Sequence, residues 1–288
     1  MNKILADLLQ VLQLERLEIN LFRGESRDIG SPQVFGGQVL GQALVAATAT
    51  VENRVAHSLH AYFLRAGDFH HPIVYEVDRS RDGATFSSRR VVAIQHGQQI
   101  FHMSASFQAP EEGVEHQFPM PQVQPPEVLP HATDPAIVAQ LPDHIRRIQL
   151  QPRPFEFRLG RPLGDSSQPD LSSADTVNYL WFKAVGRLPD EDSLHRSLLA
   201  YVSDYYLLVT AIYPHAANPE HLSALKSASL DHAMWFHRPA RVDEWLLYYM
   251  DSPSASGARG FSRGSIFTRD GRLVASTVQE GLMRMGRR

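Results

Sequence analysis

The organisation of this chain is most visible in one stretch, SLDHAMWFH at residues 229–237. The stretch combines a hydroxyl, a carboxylate, two imidazoles and a run of three large apolar side chains. A partial copy, LHAYFLR, occurs at residues 59–65. When the two are aligned on their His-Ala pairs, the next three positions are aromatic or apolar in both, and the fourth is basic. This internal similarity predicts a duplicated structural unit.

Length and composition describe an ordinary globular protein. The chain has 288 residues, enough for one large domain or for two of roughly 100–150 residues, and the duplication favours two. Hydrophobic residues make up 43%, charged residues 20%, and the net charge is −3, which argues against a nucleic-acid partner. Cysteine is absent, so disulfides and cysteine-ligated zinc are excluded, and the composition fits a reducing compartment.

Membrane and export signals are not found in the sequence. No apolar run approaches the ~18 residues that a membrane-spanning helix requires. The apolar pattern of residues 1–12 includes Asp7 and has no small-residue cleavage site, so it predicts an amphipathic helix rather than a signal peptide. We therefore expect a cytoplasmic protein with no stable membrane insertion.

The first half predicts one buried helix followed by strands. Residues 33–47 include Gly36 and Gly37 and continue with small and apolar residues, a pattern typical of a helix that is apolar nearly all round and therefore buried. Gly97 marks a hairpin turn between the last two strands. Runs rich in Val, Ile, Phe and Tyr predict strands at about 59–65, 73–79, 84–95 and 99–108.

A proline-rich segment separates the two halves. Seven of the nineteen prolines lie from Pro110 to Pro135, and proline is tolerated neither in a sheet ladder nor in a helix interior. We therefore predict an N-terminal domain over residues 1–112, a linker over 113–150 and a C-terminal domain over 151–288 that carries the catalytic residues.

The second half repeats the pattern of the first. It predicts a helix at Ser197–Ile212 and a hairpin turn at Asp270-Gly271, since Asp-Gly suits positive backbone dihedrals. A short helix is expected earlier, within the linker, at Asp143–Gln149. Strands are predicted at Phe155–Leu159, Val177–Ala184 and about 229–237, 244–251, 257–268 and 272–283.

The spacing of equivalent residues agrees between the halves. Gly271 follows Gly97 by 174 residues, and His232 follows His60 by 172. Two copies of a helix wrapped by an antiparallel sheet resemble the hotdog fold, so we predict an α+β protein with a tandem (double) hotdog fold. The two half-sheets are expected to pair edge to edge, which would cover exposed strand edges.

Three polar residues are candidates for a reaction, and each has a plain structural alternative. Asp204 lies in an apolar helix beside Tyr205 and Tyr206. An acid in the first turn of a helix suits the helix dipole, but a partly buried carboxylate must be paired or used. Ser229, at a strand start, would also suit a turn cap. Gln279 alternates with apolar neighbours and is a candidate to point inward, although exposed strand glutamines are commoner.

Histidines are numerous, at fourteen, but no metal ligands are predicted among them. None of the obvious pairs has an acidic partner at the spacing of a familiar ligand set, such as two histidines one helical turn apart with a glutamate between them. The pairs are His57/His60, His70/His71 and His232/His237.

One motif suggests a different enzyme class. GFSRG at residues 260–264 matches the G-x-S-x-G nucleophile elbow of serine esterases, with Ser262 as the nucleophile. That elbow requires a following helix and a histidine further along the chain. A strand is predicted to follow here, and no histidine occurs after His237. We therefore interpret the motif as a chance match.

Five segments together resemble the signature segments of the acyl-CoA thioesterase II family. They occur in order over both halves, and the agreement of so many separate segments is more specific than any single motif. The segments are QVFGGQ at 33–38, HSLHAYF at 57–63, FQAP at 107–110, DHAMWFH at 231–237 and ASTVQEG at 275–281.

The resemblance implies a double hotdog enzyme that hydrolyses fatty acyl-CoA thioesters of medium to long chain, without a cofactor and as a homo-oligomer, a dimer or tetramer. Matched segment by segment, the family's catalytic aspartate, Thr or Ser, and Gln fall on Asp204, Ser229 and Gln279. His57 matches a histidine with a supporting role. A non-catalytic protein that binds acyl-CoA or lipid on the same fold is the alternative.

Thioester hydrolysis is a reaction that an aspartate, a serine and a glutamine can carry out together. A thioester carbonyl is electrophilic enough for an aspartate to act as general base to a water molecule, although an ordinary pKa of about 3.9 makes it a weak one. Ser229 and Gln279 would orient that water and stabilise the developing charge. The apolar run Met234–Phe236 either lines an acyl tunnel or belongs to the core.

Overall fold

The computed structural model describes residues 2–162, 176–215 and 224–285. In the first half, a short helix and two short strands precede a long buried helix, which is followed by four longer strands. The elements are α1 (Lys3–Leu12), β1 (Glu15–Glu18), β2 (Leu21–Gly24), α2 (Gly36–Thr48), β3 (Val55–Phe63), β4 (Ile73–Asp82), β5 (Phe86–Gln95) and β6 (Gln98–Gln108).

The proline-rich segment contains two short helices, and the second half follows it. The short helix predicted at Asp143–Gln149 is confirmed, whereas the domain division at residues 112 and 150 stays a prediction. The elements are α3 (Pro135–Val138), α4 (Asp143–Gln149), β7 (Phe155–Leu159), β8 (Val177–Ala184), α5 (Asp192–Ser203), α6 (Leu207–Ile212), β9 (Leu225–Ser229), β10 (Asp231–Phe236), β11 (Leu246–Ser256), β12 (Arg259–Thr268) and β13 (Leu273–Met285).

The described strands form one antiparallel sheet, in which β3 and β10 join the two halves. His232 lies opposite Ala61, and Ala233 lies opposite His60. The two similar stretches are therefore direct neighbours at the centre of the sheet, and the predicted edge-to-edge pairing is confirmed. The strand order is β1-β2-β4-β5-β6-β3-β10-β13-β12-β11-β8-β7, with β9 beside β13.

The two long helices, α2 and α5, pack against each other within the curve of this sheet. Gly37 and Gly41 lie one turn apart on α2 and face the backbone of α5. A Cβ atom at Gly37 would collide with the carbonyl oxygen of Tyr201, and one at Gly41 would lie 3.2 Å from the carbonyl oxygen of Ser197. Glycine is needed at these positions because the backbones approach so closely. Each half is thus a helix wrapped by antiparallel strands, the tandem hotdog arrangement that the sequence predicts.

The helix predicted at Ser197–Ile212 is wrong in its extent. Helix α5 begins earlier, at Asp192, and ends at Ser203, and α6 begins only at Leu207. Tyr206 separates the two with a left-handed backbone, φ 64°. Its hydroxyl contacts Arg153 and Gln149, so residues outside the helix hold the break. Asp204 therefore lies at the C-terminal end of α5, not in a first turn.

Three strands were not predicted, and β3 begins at Val55 rather than at about residue 59 and ends at Phe63 rather than at about residue 65. β1, β2 and β9 were not predicted because each is only four or five residues long. Consequently Ser229 ends β9, and β10 begins two residues later at Asp231. Both hairpin turns are confirmed, with Gly97 at φ 71° and Gly271 at φ 90°. Among the described residues, no helix has the length and apolar character needed to cross a membrane.

Candidate active site

Asp204 lies where the two halves of the protein meet. Its Oδ2 accepts a hydrogen bond from the backbone N–H of Gly37 at 2.9 Å. Gly37 is in the first turn of α2, and Phe35, the N-cap residue just before the helix, provides no side-chain cap. The carboxylate therefore satisfies an otherwise unpaired N–H and faces the positive end of the α2 dipole.

Gln279 and Ser229 complete a polar cluster around the other carboxylate oxygen. Gln279 lies in the middle of β13, is 1% exposed and points inward, as the alternation of its neighbours suggested. Its Nε2 donates to Asp204 Oδ1 at 2.8 Å and to Ser229 Oγ at 3.1 Å. Ser229 Oγ lies 3.5 Å from Asp204 Oδ1, too far for a strong hydrogen bond. The structure thus brings together the three residues singled out in the sequence.

His232 extends the cluster into the core. Period-two alternation along β10 turns His232 inward, where it is 1% exposed. Its Nδ1 lies 3.3 Å from Gln279 Nε2, and its Nε2 lies 3.0 Å from Ser203 Oγ. Ser203 Oγ in turn donates to the carbonyl oxygen of Ala200 at 2.9 Å. The consistent assignment has His232 donate from Nε2 to Ser203. Its Nδ1 is then an acceptor that shares one of the two Gln279 amide hydrogens with Ser229 Oγ.

This network fixes the orientation of the Gln279 amide. An ionised Asp204 accepts only, so the amide nitrogen of Gln279 must face it, and the Oε1 atom must point elsewhere. Gln279 Oε1 is buried and makes no hydrogen bond within the described part of the chain. A buried acceptor without a hydrogen bond costs folding free energy, so its presence in this site suggests a functional role for Oε1.

Burial changes the protonation of two groups in the site. Burial raises the pKa of Asp204, and the hydrogen bonds from Gln279, Gly37 and Ser229 oppose this rise. A raised pKa makes the carboxylate a stronger base than an exposed aspartate. Burial lowers the pKa of His232 to about 3, so this imidazole is neutral at physiological pH.

Two cavities flank the cluster. One of about 300 Å³ has walls that are mainly apolar and reaches Asp204. The other, of about 230 Å³, reaches Ser229 and Gly36 and has Arg65 on its wall. The apolar residues of the first cavity are Ile29, Phe35, Ile137, Leu141, Ile145, Ile148, Leu159, Val209 and Ile212.

Several residues considered in the sequence lie outside this site. The structure pairs His57 Nε2 with Ser106 Oγ at 2.8 Å and packs the ring against Phe86, so its supporting role stays a prediction. Met234 and Phe236 are core residues, 0% and 5% exposed, and they are not among the described residues that line the two cavities.

Ser262 is in a strand, as the sequence interpretation of GFSRG required. It lies within β12 opposite Gln279 of β13, and its side chain is fully buried. Its Oγ atom makes no hydrogen bond with any described residue. A histidine base is therefore not beside it in this part of the chain, which is the geometry expected of a chance match.

Sequence reasoning missed the residues that support the cluster. The sequence places Gly37 in the buried helix and in the segment QVFGGQ, and His232 in the repeated stretch and in the pair His232/His237, but neither pattern indicates a contact with Asp204 or Gln279. The period-two alternation of β10 is the signal that predicts an inward His232. The linker was treated as a spacer, yet Ile137 and Ile148 from α3 and α4 line the larger cavity. Their apolar spacing within a polar segment was the available signal.

One cluster of possible metal ligands lies away from Asp204. Asp68, His71 and His96 place one ligand atom each within 4.8 Å of the other two. The histidine pairs were judged by their local spacing, and His96 comes from a hairpin 25 residues after His71. Local spacing in the sequence therefore gives no signal for this grouping.

Comparison with known proteins gives a consistent result along the whole chain. The family model described as "Acyl-CoA thioesterase N-terminal domain" matches residues 23–108, and the model described as "Acyl-CoA thioesterase" matches residues 170–282. The chain is 43% identical to Acyl-CoA thioesterase 2 of Haemophilus influenzae, covering 99% of both proteins. It is 41% identical to Acyl-coenzyme A thioesterase 8 of Homo sapiens, covering 96% of this chain and 88% of that protein.

Solved structures agree with the fold. The crystal structure of an acyl-CoA thioesterase II from Mycobacterium marinum is similar with a TM-score of 0.79 at 43% identity, covering 96% of this chain and 98% of that one. A protein with a hot dog fold from Alicyclobacillus acidocaldarius is similar in fold, with a TM-score of 0.77 at 19% identity, covering 98% of this chain and 99% of that one.

Proposed function

Because the chain belongs to the acyl-CoA thioesterase II family, a family of thioester hydrolases, we propose that it hydrolyses fatty acyl-CoA thioesters of medium to long chain. The products are the free fatty acid and CoA. The observation that carries this proposal is the meeting of Asp204, Ser229 and Gln279 between an apolar cavity and a more polar one. No cofactor takes part in the proposed reaction.

Asp204 acts as the general base. It takes a proton from a water molecule as the water oxygen forms a bond to the thioester carbonyl carbon. The carbon–sulfur bond then breaks, and the departing thiolate of CoA takes the proton from Asp204. The raised pKa of Asp204 supports this role, because a stronger base accepts the proton more readily.

Ser229 and Gln279 position the water and the carboxylate. The 3.5 Å gap between Ser229 Oγ and Asp204 Oδ1 leaves both atoms available to a water hydrogen-bonded between them. Gln279 Nε2 holds the Asp204 carboxylate, and its unpaired Oε1 offers an acceptor for a second water hydrogen. Such fixed polar groups lower the barrier because they need no reorientation during the reaction.

The two cavities accommodate the two ends of the substrate. We assign the acyl chain to the apolar cavity beside Asp204, whose volume of about 300 Å³ is typical of the smaller ligand pockets. The pantetheine arm of CoA is assigned to the cavity beside Ser229, where Arg65 offers a cation on the wall. We further propose, from the family resemblance, a cytoplasmic homodimer or homotetramer.

Release of CoA from a panel of acyl-CoA esters tests this proposal. Butanoyl-, octanoyl- and palmitoyl-CoA should be compared, and the two longer esters are expected to react faster because they fill more of the apolar cavity. Ile148→Trp narrows that cavity and should reduce the rate with palmitoyl-CoA more than with butanoyl-CoA. Binding of octanoyl-CoA without any release of CoA would instead indicate a non-catalytic binding protein.

A further inference from the structure

Three side chains converge on the surface beside the Ser229 cavity. Asp68 Oδ2 lies 2.7 Å from Nδ1 of His71 and 3.4 Å from Nε2 of His96. The two imidazole rings meet edge to face, with centroids 4.6 Å apart. All three side chains are open to solvent, at 36%, 56% and 57% exposure.

A buried glutamine holds the backbone beneath these side chains. Gln95, 5% exposed, precedes His96 directly. Its Oε1 accepts from the Asp68 N–H at 2.7 Å, and its Nε2 donates to the carbonyl oxygens of Asp68 at 2.7 Å and His71 at 2.9 Å. One side chain therefore fixes the positions of all three converging residues, so their approach does not depend on the chance conformation of a loop.

The two carboxylate oxygens of Asp68 have different partners. Asp68 Oδ1 accepts from the His70 N–H at 2.9 Å, while Oδ2 faces both imidazoles. A solvent-exposed aspartate carboxylate is ionised at physiological pH. An anionic oxygen and two ring nitrogens thus face one point.

From this arrangement we propose that Asp68, His71 and His96 bind one divalent transition-metal ion of the zinc class. Two imidazoles and one carboxylate suit zinc, nickel or cobalt, whereas magnesium and calcium prefer oxygen ligands alone. Ligand atoms about 2.1 Å from a tetrahedral ion lie about 3.4 Å from one another. The Asp68–His96 distance already has this value. The Asp68–His71 hydrogen bond must open by less than 1 Å, and the proton on His71 Nδ1 must move to Nε2 so that Nδ1 offers its lone pair to the ion.

The site has a structural consequence for the neighbouring cavity. Asp68 and His71 belong to the segment 64–72, whereas His96 belongs to the β5–β6 hairpin, so a bound ion would tie the two together. Gly67, in this segment, lines the Ser229 cavity, and its carbonyl oxygen accepts from the Val34 N–H at 2.9 Å. Metal binding should therefore stiffen one wall of that cavity. The site is separate from Asp204, and the proposal does not depend on hydrolysis.

Zinc binding to the untagged protein tests the proposal. Isothermal titration with ZnCl₂ should show one site per chain in the wild type. His71→Gln and His96→Asn should each lower the affinity at least tenfold. Asparagine is chosen at position 96 because His96 has φ 51°, and asparagine tolerates a left-handed backbone. His70→Gln, which changes an adjacent histidine without removing a ligand, should bind zinc like the wild type.

Hydrogen exchange gives an independent measure. Zinc should slow exchange in residues 64–72 of the wild type and of His70→Gln, but not in His96→Asn, and MgCl₂ should slow it in none of them. Equal zinc affinity in the wild type, His71→Gln and His96→Asn would overturn the proposal, because the ion would then lie on other histidines. Absence of zinc binding to the folded wild type at millimolar concentration would overturn it equally.

Discussion

The backbone N–H of Gly37 donates to Oδ2 of Asp204 at 2.9 Å, although the two residues are 167 positions apart in the chain. Gly37 belongs to the helix of the first half and Asp204 to the end of the helix of the second. The candidate base is therefore held by both halves. Neither half alone would hold this carboxylate in the same position.

Gly37→Ala should damage stability and activity together. The new methyl group would collide with the carbonyl oxygen of Tyr201, and overpacking of this kind typically costs about 1–3 kcal/mol. Replacing glycine with alanine improves helix propensity by about 1 kcal/mol, which does not offset the larger free-energy cost of these collisions. Separation of α2 from α5 also weakens the hydrogen bond to Asp204. Thermal unfolding and kcat for octanoyl-CoA hydrolysis measure the two effects.

Gly113→Ala is the matched glycine control, because a Cβ there meets no atom within 4 Å. This variant should behave like the wild type. If Gly37→Ala unfolds at the wild-type temperature with unchanged kcat, the close contact of α2 with α5 does not support the site.

The raised pKa of Asp204 predicts how activity depends on pH. The base must be ionised, so kcat/KM should fall as the pH is lowered through a pKa above the ordinary 3.8 of aspartate. Asp204→Asn should lack this acid limb. An acid limb with its midpoint below 3.8, or one that persists in Asp204→Asn, would assign the titration to another group.

The same shift predicts the effect of Asp204 on stability. The folded state binds the Asp204 proton more tightly than the unfolded state does, since burial disfavours the charged form. The contribution of Asp204 to the free energy of unfolding should therefore become less favourable as pH rises through the folded-state pKa. Relative to wild type, Asp204→Asn should gain stability as the pH rises from the ordinary aspartate pKa of 3.8 to the raised folded-state pKa of Asp204. Urea unfolding at several pH values measures this difference, and a constant difference would contradict the shift.

Much of the architecture could be predicted because it is encoded locally. The small and apolar residues after Gly36 predict the buried helix, and the glycines at 97 and 271 predict the hairpins. The inward direction of Gln279 follows from its alternation with apolar neighbours in β13. The edge-to-edge pairing of the two half-sheets follows from the need to cover exposed strand edges, whereas the choice of β3 and β10 as the paired strands is seen only in the structure.

The rest depends on contacts between distant residues. Tyrosine has no preference for the left-handed backbone that Tyr206 adopts, and its hydroxyl is held by Arg153 and Gln149, more than fifty residues earlier. β9 carries too few apolar residues to indicate a strand, and it is defined by its pairing with β13. The contact between Gly37 and Asp204 required the packing of the two halves.

His232 should act through Gln279 and not on the substrate itself. His232→Leu removes the Nδ1 acceptor that orients the Gln279 amide, and the loss of about one hydrogen bond should lower kcat roughly tenfold with little change in KM. His232→Asn keeps an acceptor near the Nδ1 position and should recover part of the rate. Because His232 is neutral, with a pKa of about 3, the pH profile should keep its shape in both variants.

Met234→Leu is the control for His232, since Met234 is equally buried on the same face of β10 and the exchange preserves volume. Its kcat should remain close to that of the wild type. Equal rates for His232→Leu and Met234→Leu would show that the orientation of Gln279 does not need the imidazole.

Ser229 should hold water and should not carry an acyl group. A serine nucleophile normally has a histidine base beside it, whereas the partners of Ser229 are Asp204 and Gln279. Ser229→Thr keeps the hydroxyl and should stay substantially active, and Ser229→Ala should lose part of the rate. Rapid-quench kinetics should show no burst of CoA ahead of fatty acid. An acyl group on Ser229 that forms and decays at the catalytic rate would refute direct attack by water.

Ser262→Ala provides the matched serine control. Ser262 is buried opposite Gln279, but its Oγ has no hydrogen-bond partner among the described residues. Removing that hydroxyl should leave both kcat and thermal stability close to the wild type. A folded Ser262→Ala protein without activity would revive the esterase interpretation.

The most direct test of the proposed mechanism is the turnover of octanoyl-CoA by Asp204→Asn. Loss of a general base typically lowers the rate by about 10²–10⁴, so kcat should fall more than tenfold while octanoyl-CoA binding persists. Asp231→Asn is the control, because asparagine there still accepts from the Glu280 N–H at 2.6 Å. A correctly folded Asp204→Asn protein that turns over octanoyl-CoA at nearly the wild-type rate would contradict the assignment of Asp204 as the base.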